Sequence, residues 1–211
     1  MGFSEGAVFM RYPSIIAALL FTATTASAQE YDENVHDGFY LRLQVGGGYL
    51  RAKATDISPE LVVKGGGANI NAELGFALVN NFILYAKFYG ASAPNPSLQV
   101  GDLTVEGQNE NLSENFGAVG LGVTYYIMPA NVYLSGALTY TQLSVTDDGE
   151  KVAESDIGGG LHLGVGKEWW VSKNWGLGIG AELALGRIRN ESNSDSWNVT
   201  NVSLVFSATY N

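Results

Sequence analysis

Eight stretches of this chain alternate bulky apolar residues with small or polar ones, position by position. The first passes through Gly38-Phe39-Tyr40-Leu41-Arg42-Leu43-Gln44-Val45, and the last through Val202-Ser203-Leu204-Val205-Phe206-Ser207-Ala208-Thr209-Tyr210. A period of two gives a β-strand two unlike faces. Whatever these strands build must therefore be apolar on one side and small or polar on the other.

The alternation predicts strands over 38–52, 68–79, 82–92, 116–127, 132–145, 156–170, 175–188 and 197–210. In the first, Phe39, Leu41, Leu43, Val45 and Tyr49 lie opposite Tyr40, Arg42, Gln44, Gly46 and Gly48. In the seventh, Trp175, Leu177, Ile179, Leu183 and Leu185 lie opposite Gly176, Gly178, Gly180 and Glu182. The connections alternate in length. Short ones fall at 79–81, 128–131 and 171–174, and long ones at 53–67, 93–115, 146–155 and 189–196.

Aromatic residues gather at the two ends of the strands. Phe39, Phe82, Tyr125, Tyr133, Trp169, Trp170, Trp175 and Tyr210 lie beside the short turns, and Tyr49, Phe88, Tyr89, Phe116, Tyr140 and Trp197 near the long connections. Amphipathic rings favour the boundary between headgroup and acyl chain. Short turns on one side, long loops on the other and two aromatic belts predict an all-β fold, an eight-stranded antiparallel up-and-down transmembrane β-barrel. Its belt beside the short turns would include Phe39, Phe82, Tyr125, Trp169, Trp175 and Tyr210. An even strand count places both termini on the periplasmic side. The alternative is a soluble barrel with the apolar face inward. Its exterior would carry most of the glycines and few charges, whereas soluble surfaces carry many.

The segment before the first strand reads as an export signal, residues 1–28. Arg11 supplies the positive region, Ile15-Ile16-Ala17-Ala18-Leu19-Leu20-Phe21 the apolar region, and Ala26-Ser27-Ala28 the cleavage site. Met10-Arg11 makes a better signal start than Met1, and Met10 is an expected true start. Residues 29–37 are then expected to form an acidic, mobile periplasmic tail, and 38–211 the barrel. No apolar run approaches the about 20 residues of a transmembrane helix. The 211 residues include no Cys, which excludes disulfides and thiolate metal sites. A formal net charge of −10 argues against nucleic-acid binding, since no basic patch is present to neutralise phosphates.

The chain resembles the small eight-stranded outer-membrane proteins, the family of the OmpA transmembrane domain and OmpX/Ail. The likeness covers 38–211 and rests on the signal, the alternation, the asymmetry of turns and loops, the Gly38-Phe39-Tyr40 opening, the Gly166-Lys167-Glu168-Trp169-Trp170 stretch and the last strand. It implies location in the bacterial outer membrane, with lipid and lipopolysaccharide as surroundings. Leu204, Phe206, Ala208 and Tyr210 match the family's C-terminal assembly signal, which implies the barrel-assembly machinery as a biogenesis partner. The cell-wall tether that follows the barrel in OmpA is not expected here.

The inward faces carry Arg42, Glu73, Lys87, His162, Glu168 and Glu182. An eight-stranded barrel is just wide enough for side chains to fill. Opposite charges in so narrow a lumen must pair to offset desolvation. Arg42 and Lys87 are expected to bond to Glu73 and Glu182 in a structural polar network, with bulky groups reaching over the glycines of other strands. A gated ion path is the competing reading. The resemblance also raises lipid A enzymes, whose deacylase type uses a His-x-Ser pair. Here Leu163-Gly164 follow His162, so the Ser is missing. No catalytic, metal-binding or cofactor-binding residue is assigned, and no cofactor is expected.

Two long loops are acidic. One carries Asp102, Glu106, Glu110 and Glu114, the other Asp147, Asp148, Glu150, Glu154 and Asp156. Neither has the spacing of an EF-hand. Gly101-Asp102, between the alternating residues Leu98–Val100 and Leu103–Val105, suits a two-residue hairpin turn. The third and fourth strands are expected to project there and to offer an edge to a partner strand. These readings favour a non-enzymatic protein of envelope structure or surface interaction, acting through its loops on an unidentified surface partner. A narrow channel or small-solute carrier and a lipid A-modifying enzyme are the alternatives.

Overall fold

A computed structural model of the protein describes residues 34–55, 57–107, 109–189 and 196–211. The expected export signal and most of the tail after it lie outside the described residues. Eight long strands form the wall: β1 (Phe39–Ala54), β2 (Leu61–Val79), β3 (Phe82–Pro94), β6 (Leu112–Ile127), β7 (Val132–Asp147), β9 (Gly158–Trp170), β10 (Trp175–Arg189) and β11 (Ser196–Tyr210). Three short strands, β4 (Ser97–Val100), β5 (Leu103–Val105) and β8 (Glu150–Glu154), lie in the long loops. Each wall strand pairs antiparallel with its neighbours, and β11 pairs with β1 to close the ring. Closure leaves the wall no free edge, so its backbone polar groups are satisfied within the ring, as hydrocarbon demands.

The alternation separates outside from inside. Leu138, Leu204 and Phe206 face outward with 72%, 73% and 69% of their surface exposed, while Arg42, Glu73 and Lys87 are almost fully buried. An apolar exterior of this extent would aggregate in water and matches a lipid solvent. The inverted arrangement of a soluble barrel is excluded.

Phe39, Tyr125, Trp169 and Trp175 are exposed at the short-turn end, with Phe82 and Tyr210 half-buried beside them. At the other end the outward rings are Tyr49, Phe88 and Tyr140; Phe88 and Tyr140 flank Val119 in one cross-strand row. Beyond that row the outward positions turn small or polar, as in Asn115 and Ser113 of β6 and Gln142 and Ser144 of β7. The membrane-spanning part of the wall ends there, and the strands continue into the extracellular space.

Five of the rings gathered near the strand ends point inward, Tyr89 and Tyr133 as their strand parity predicts and Trp170, Phe116 and Trp197 against the belt expectation. Tyr133 and Trp170 fill the periplasmic end of the lumen, and Tyr89, Phe116 and Trp197 the extracellular end. The distance of all five from the turns suits a belt, but their strand parity does not.

The long loops are more regular than expected. The β4–β5 hairpin turns at Gly101, whose φ is +57°. It does not prolong the third and fourth wall strands. It pairs with β2 through Leu61–Val100 and Lys64–Ser97, because β2 starts well before residue 68. In the next loop β7 runs on to Asp147 and turns back into β8 through Asp148 (φ 51°) and Gly149 (φ 80°). Two consecutive positive φ values define the hairpin turn that Asp-Gly favours.

Candidate functional site

The inward side chains stack in layers along the barrel axis. At the periplasmic mouth the chain before β1 is docked rather than free. The His36 ring stacks on Tyr126 with centroids 3.5 Å apart and lies 4.9 Å from Trp170. Its Nε2 donates to Asn131 Oδ1 at 2.9 Å, and its backbone carbonyl accepts from the Asn81 amide at 2.8 Å. The expectation of a mobile tail is therefore corrected for residues 34–37. Burial lowers the pKa of this imidazole below its ordinary value.

Above this docked segment, which latches the periplasmic mouth through His36, Glu168 is bound by hydroxyls. Tyr126 donates to Oε2 at 3.1 Å, while Ser207 and Thr209 donate to Oε1 at 3.1 and 2.6 Å. It does not join the main charge network.

That network begins one layer further in. Glu73 faces Arg42 across β1–β2 and Lys87 across β2–β3 in direct register. Glu73 Oε2 accepts from Arg42 Nη2 at 2.6 Å and Nε at 3.0 Å, and from the Tyr40 hydroxyl at 3.2 Å. Glu73 Oε1 accepts from Lys87 at 3.2 Å and Asn71 at 3.0 Å. Lys87 also lies 3.0 Å from Glu182 Oε1, to which His162 Nδ1 donates at 2.8 Å. Arg42, Glu73, Lys87, Glu182 and His162 thus form one continuous chain across the lumen. The Arg42 guanidinium is 4.1 Å from the Tyr133 ring centroid, which adds a cation–π contact.

Glycines on the facing strands make room for the large rings. A Cβ on Gly166 would sit 2.5 Å from Tyr133 Cζ, and one on Gly122 equally close to Tyr85 Cζ. Toward the extracellular end the contents become apolar: Leu50, Ala52, Ala91, Phe116, Ala184, Ile188 and Val199 pack together with Tyr89. His162 lies under this cap, 4.8 Å from the Tyr89 ring centroid. Among the described residues, no group of three His, Cys, Asp or Glu could hold a metal ion.

The loop carboxylates do not converge on one site. Asp102, Glu110, Asp148 and Glu150 are exposed. Glu106 accepts from Ser97 at 3.1 Å, Asp147 from Asn109 at 3.3 Å, and Glu154 pairs with Lys151 at 2.7 Å. Glu114 is misplaced by the sequence reading: it lies in β6, faces inward and is buried. The sequence reading also missed His36, for which the tail offers no periodic signal. It missed the β7–β8 hairpin too, although Asp148-Gly149 between alternating residues announces it.

The model of the outer membrane protein β-barrel domain family matches residues 15–210. The chain belongs to that family and is a bacterial outer-membrane protein. No curated protein is significantly similar to it. Among solved structures, AlkL in lipid bilayers is 11% identical over 88% of this chain and 94% of its own, with a TM-score of 0.50. Neisserial surface protein A (NspA) is 19% identical over 82% and 96%, with a TM-score of 0.49. OprG from Pseudomonas aeruginosa is 10% identical over 85% and 99%, with a TM-score of 0.49.

Proposed function

We propose that this protein is a non-enzymatic outer-membrane barrel whose lumen is a structural core and whose extracellular hairpins carry surface interaction. The observation behind this reading is the layered filling of the lumen. Clustered tyrosines, buried ion pairs and an apolar cap follow one another between the two mouths. A charge chain this fully paired stiffens a core, and a conducting path would instead need water beside its charges. His162 is committed to Glu182 beneath the cap and is buried inside the lumen, on the face turned away from lipid.

The hairpins offer what the lumen does not. Among the described residues β5 pairs only with β4, and β8 only with β7, so each presents one free edge above the membrane. Leu103, Val105 and Val152 stand exposed on these strands. A free edge with exposed apolar side chains can add a partner strand. Two measurements test the reading. Reconstituted protein in planar bilayers should give no discrete conductance. Cells carrying the protein with residues 97–105 replaced by a Gly-Ser linker should lose adherence or self-association, with the barrel still inserted. Regular conductance steps, or adherence unchanged by the replacement, would sink it.

A further inference from the structure

Above the apolar cap, outside the membrane-spanning part of the wall, the extracellular mouth holds a cavity of about 160 Å³. Its walls come from opposite sides of the barrel: Val63 of β2 and Trp197 of β11 face Leu143 and Val145 of β7 and Ala153 of β8. The lining is mostly apolar; its polar residues are Ser144, Ser155, Glu154 and Glu114, and the Ser155 hydroxyl is already bonded to the backbone of Leu143 and Asp156. Glu114 of β6 borders the cavity with 4% of its surface exposed, and its Oε2 has no hydrogen-bond partner. Its cross-strand neighbours on either side, Ala93 and Val145, have no polar side chain to offer. The other carboxylate at the cavity, Glu154, is already paired with Lys151.

A buried polar group without a partner is costly and calls for an explanation. Glu114 is no part of the lumen network, whose carboxylates each hold two or more donors. Burial alone pushes its carboxyl up to about 7, with no cation nearby to hold it down. The cavity therefore combines an apolar body with a single unsatisfied acceptor. An apolar cavity of about 150 Å³ accepts one benzene ring. The acidic hairpins around the mouth raise the local concentration of cations.

We propose that this cavity binds a small aryl- or alkylammonium, its apolar body against Trp197, Leu143 and Val63 and its N–H donors on the Glu114 carboxylate. The proposal is independent of strand addition at the hairpin edges. A neutral molecule of the same shape would leave Glu114 without its charge partner, and an anion would be repelled.

The test is calorimetric titration of the purified full-length protein in detergent micelles at pH 8, with empty micelles as the blank. The probes are 2-phenylethylammonium, 2-phenylethanol and 3-phenylpropionate. The ammonium should bind about tenfold or more tightly than the alcohol, as a charge-assisted hydrogen bond predicts, and the carboxylate should not bind. Glu114→Gln, which keeps the shape and removes the charge, should bring the ammonium down to the level of the alcohol. Val145→Trp, which fills the cavity, should abolish binding of both. Heat-modifiable migration verifies that each variant is folded. Equal binding of ammonium and alcohol to the wild type, no ammonium binding at all, or ammonium binding unchanged in either folded variant would overturn the proposal.

Discussion

Arg42 Nη2 lies 2.6 Å from Glu73 Oε2, on directly paired positions of neighbouring strands, with about 1% of either side chain exposed. Lys87 completes the row from the other side of Glu73 and passes the chain on to Glu182. One carboxylate thus contacts two cations inside a wall that faces hydrocarbon, and Glu182 balances the second charge. The arrangement specifies register, because a one-residue slip of β2 would turn Glu73 toward lipid and leave Arg42 without a counter-charge.

Glu73→Gln keeps the side chain's shape and leaves Arg42 without a counter-charge. Breaking a buried pair from one side costs about 3–5 kcal/mol, whereas replacing both partners by apolar groups of similar volume is often neutral. We expect Glu73→Gln to lower the urea midpoint of the vesicle-inserted barrel markedly. The double variant Arg42→Met/Glu73→Leu should lose less, since Lys87 keeps Glu182. Equal losses in the two variants would show that the uncompensated charge is not what destabilises.

The cap is tight enough to be read from a single methyl group. A Cβ on Gly186 would lie 3.1 Å from Phe116 Cε2 and 3.4 Å from Thr141 Oγ1. Gly186→Ala should therefore cost about 1–3 kcal/mol through overpacking. Phe116→Leu in the same chain should recover part of that loss, because the nearest contacts are with the Phe116 ring. The temperature at which the folded band disappears in SDS gels measures both. Additive losses in the double variant would mean that the ring is not the obstacle.

The His36 latch should respond to pH. Burial lowers its pKa below the ordinary value of about 6.5, so the docked state favours the neutral ring. Docking is then at full strength above about 6.5 and is lost as the pH falls through the lowered value. The readout is hydrogen exchange at the Asn81 amide, which donates to the His36 carbonyl. Protection should drop between pH 7.5 and 5 while the wall strands stay protected, and His36→Ala should remove the pH dependence. Protection that is constant across this range would disprove the latch.

The fold was legible because a lipid exterior is uniform: every outward position needs the same apolar character, and parity alone identifies it. Charge complementarity made the lumen pairs legible, since Arg42 and Lys87 do bond to Glu73 and Glu182, but their register was legible only where a short turn fixes it. The short turn at residues 79–81 places Glu73 opposite Lys87, and those two residues can be matched from the sequence. Arg42 and Glu73 are joined across a long connection, so their opposite charges suggest the pair but its exact register is seen only in the structure. The inward rings Trp170, Phe116 and Trp197 went astray because closeness to a turn was weighed ahead of parity, whereas the parity of Tyr89 and Tyr133 already placed them inward. Glu114 went astray because the loop was taken to begin where the outward apolar pattern ends, whereas β6 continues past the membrane on its hydrogen bonds to β3 and β7.

The β7–β8 hairpin gives a last test, separate from barrel stability. Gly149 holds φ at +80°, and a Cβ placed there would meet nothing within 4 Å. The cost of Gly149→Val is then purely conformational, about 1–2 kcal/mol for an L side chain in the left-handed region. Among the described residues β8 pairs only with β7, so that cost falls on the hairpin alone. Protease added to intact cells should cut Gly149→Val faster than wild type within residues 150–157, with an unchanged folded-band temperature in SDS gels. A fall in that temperature would show that the hairpin supports the wall; cleavage at the wild-type rate would show that the turn does not hold it.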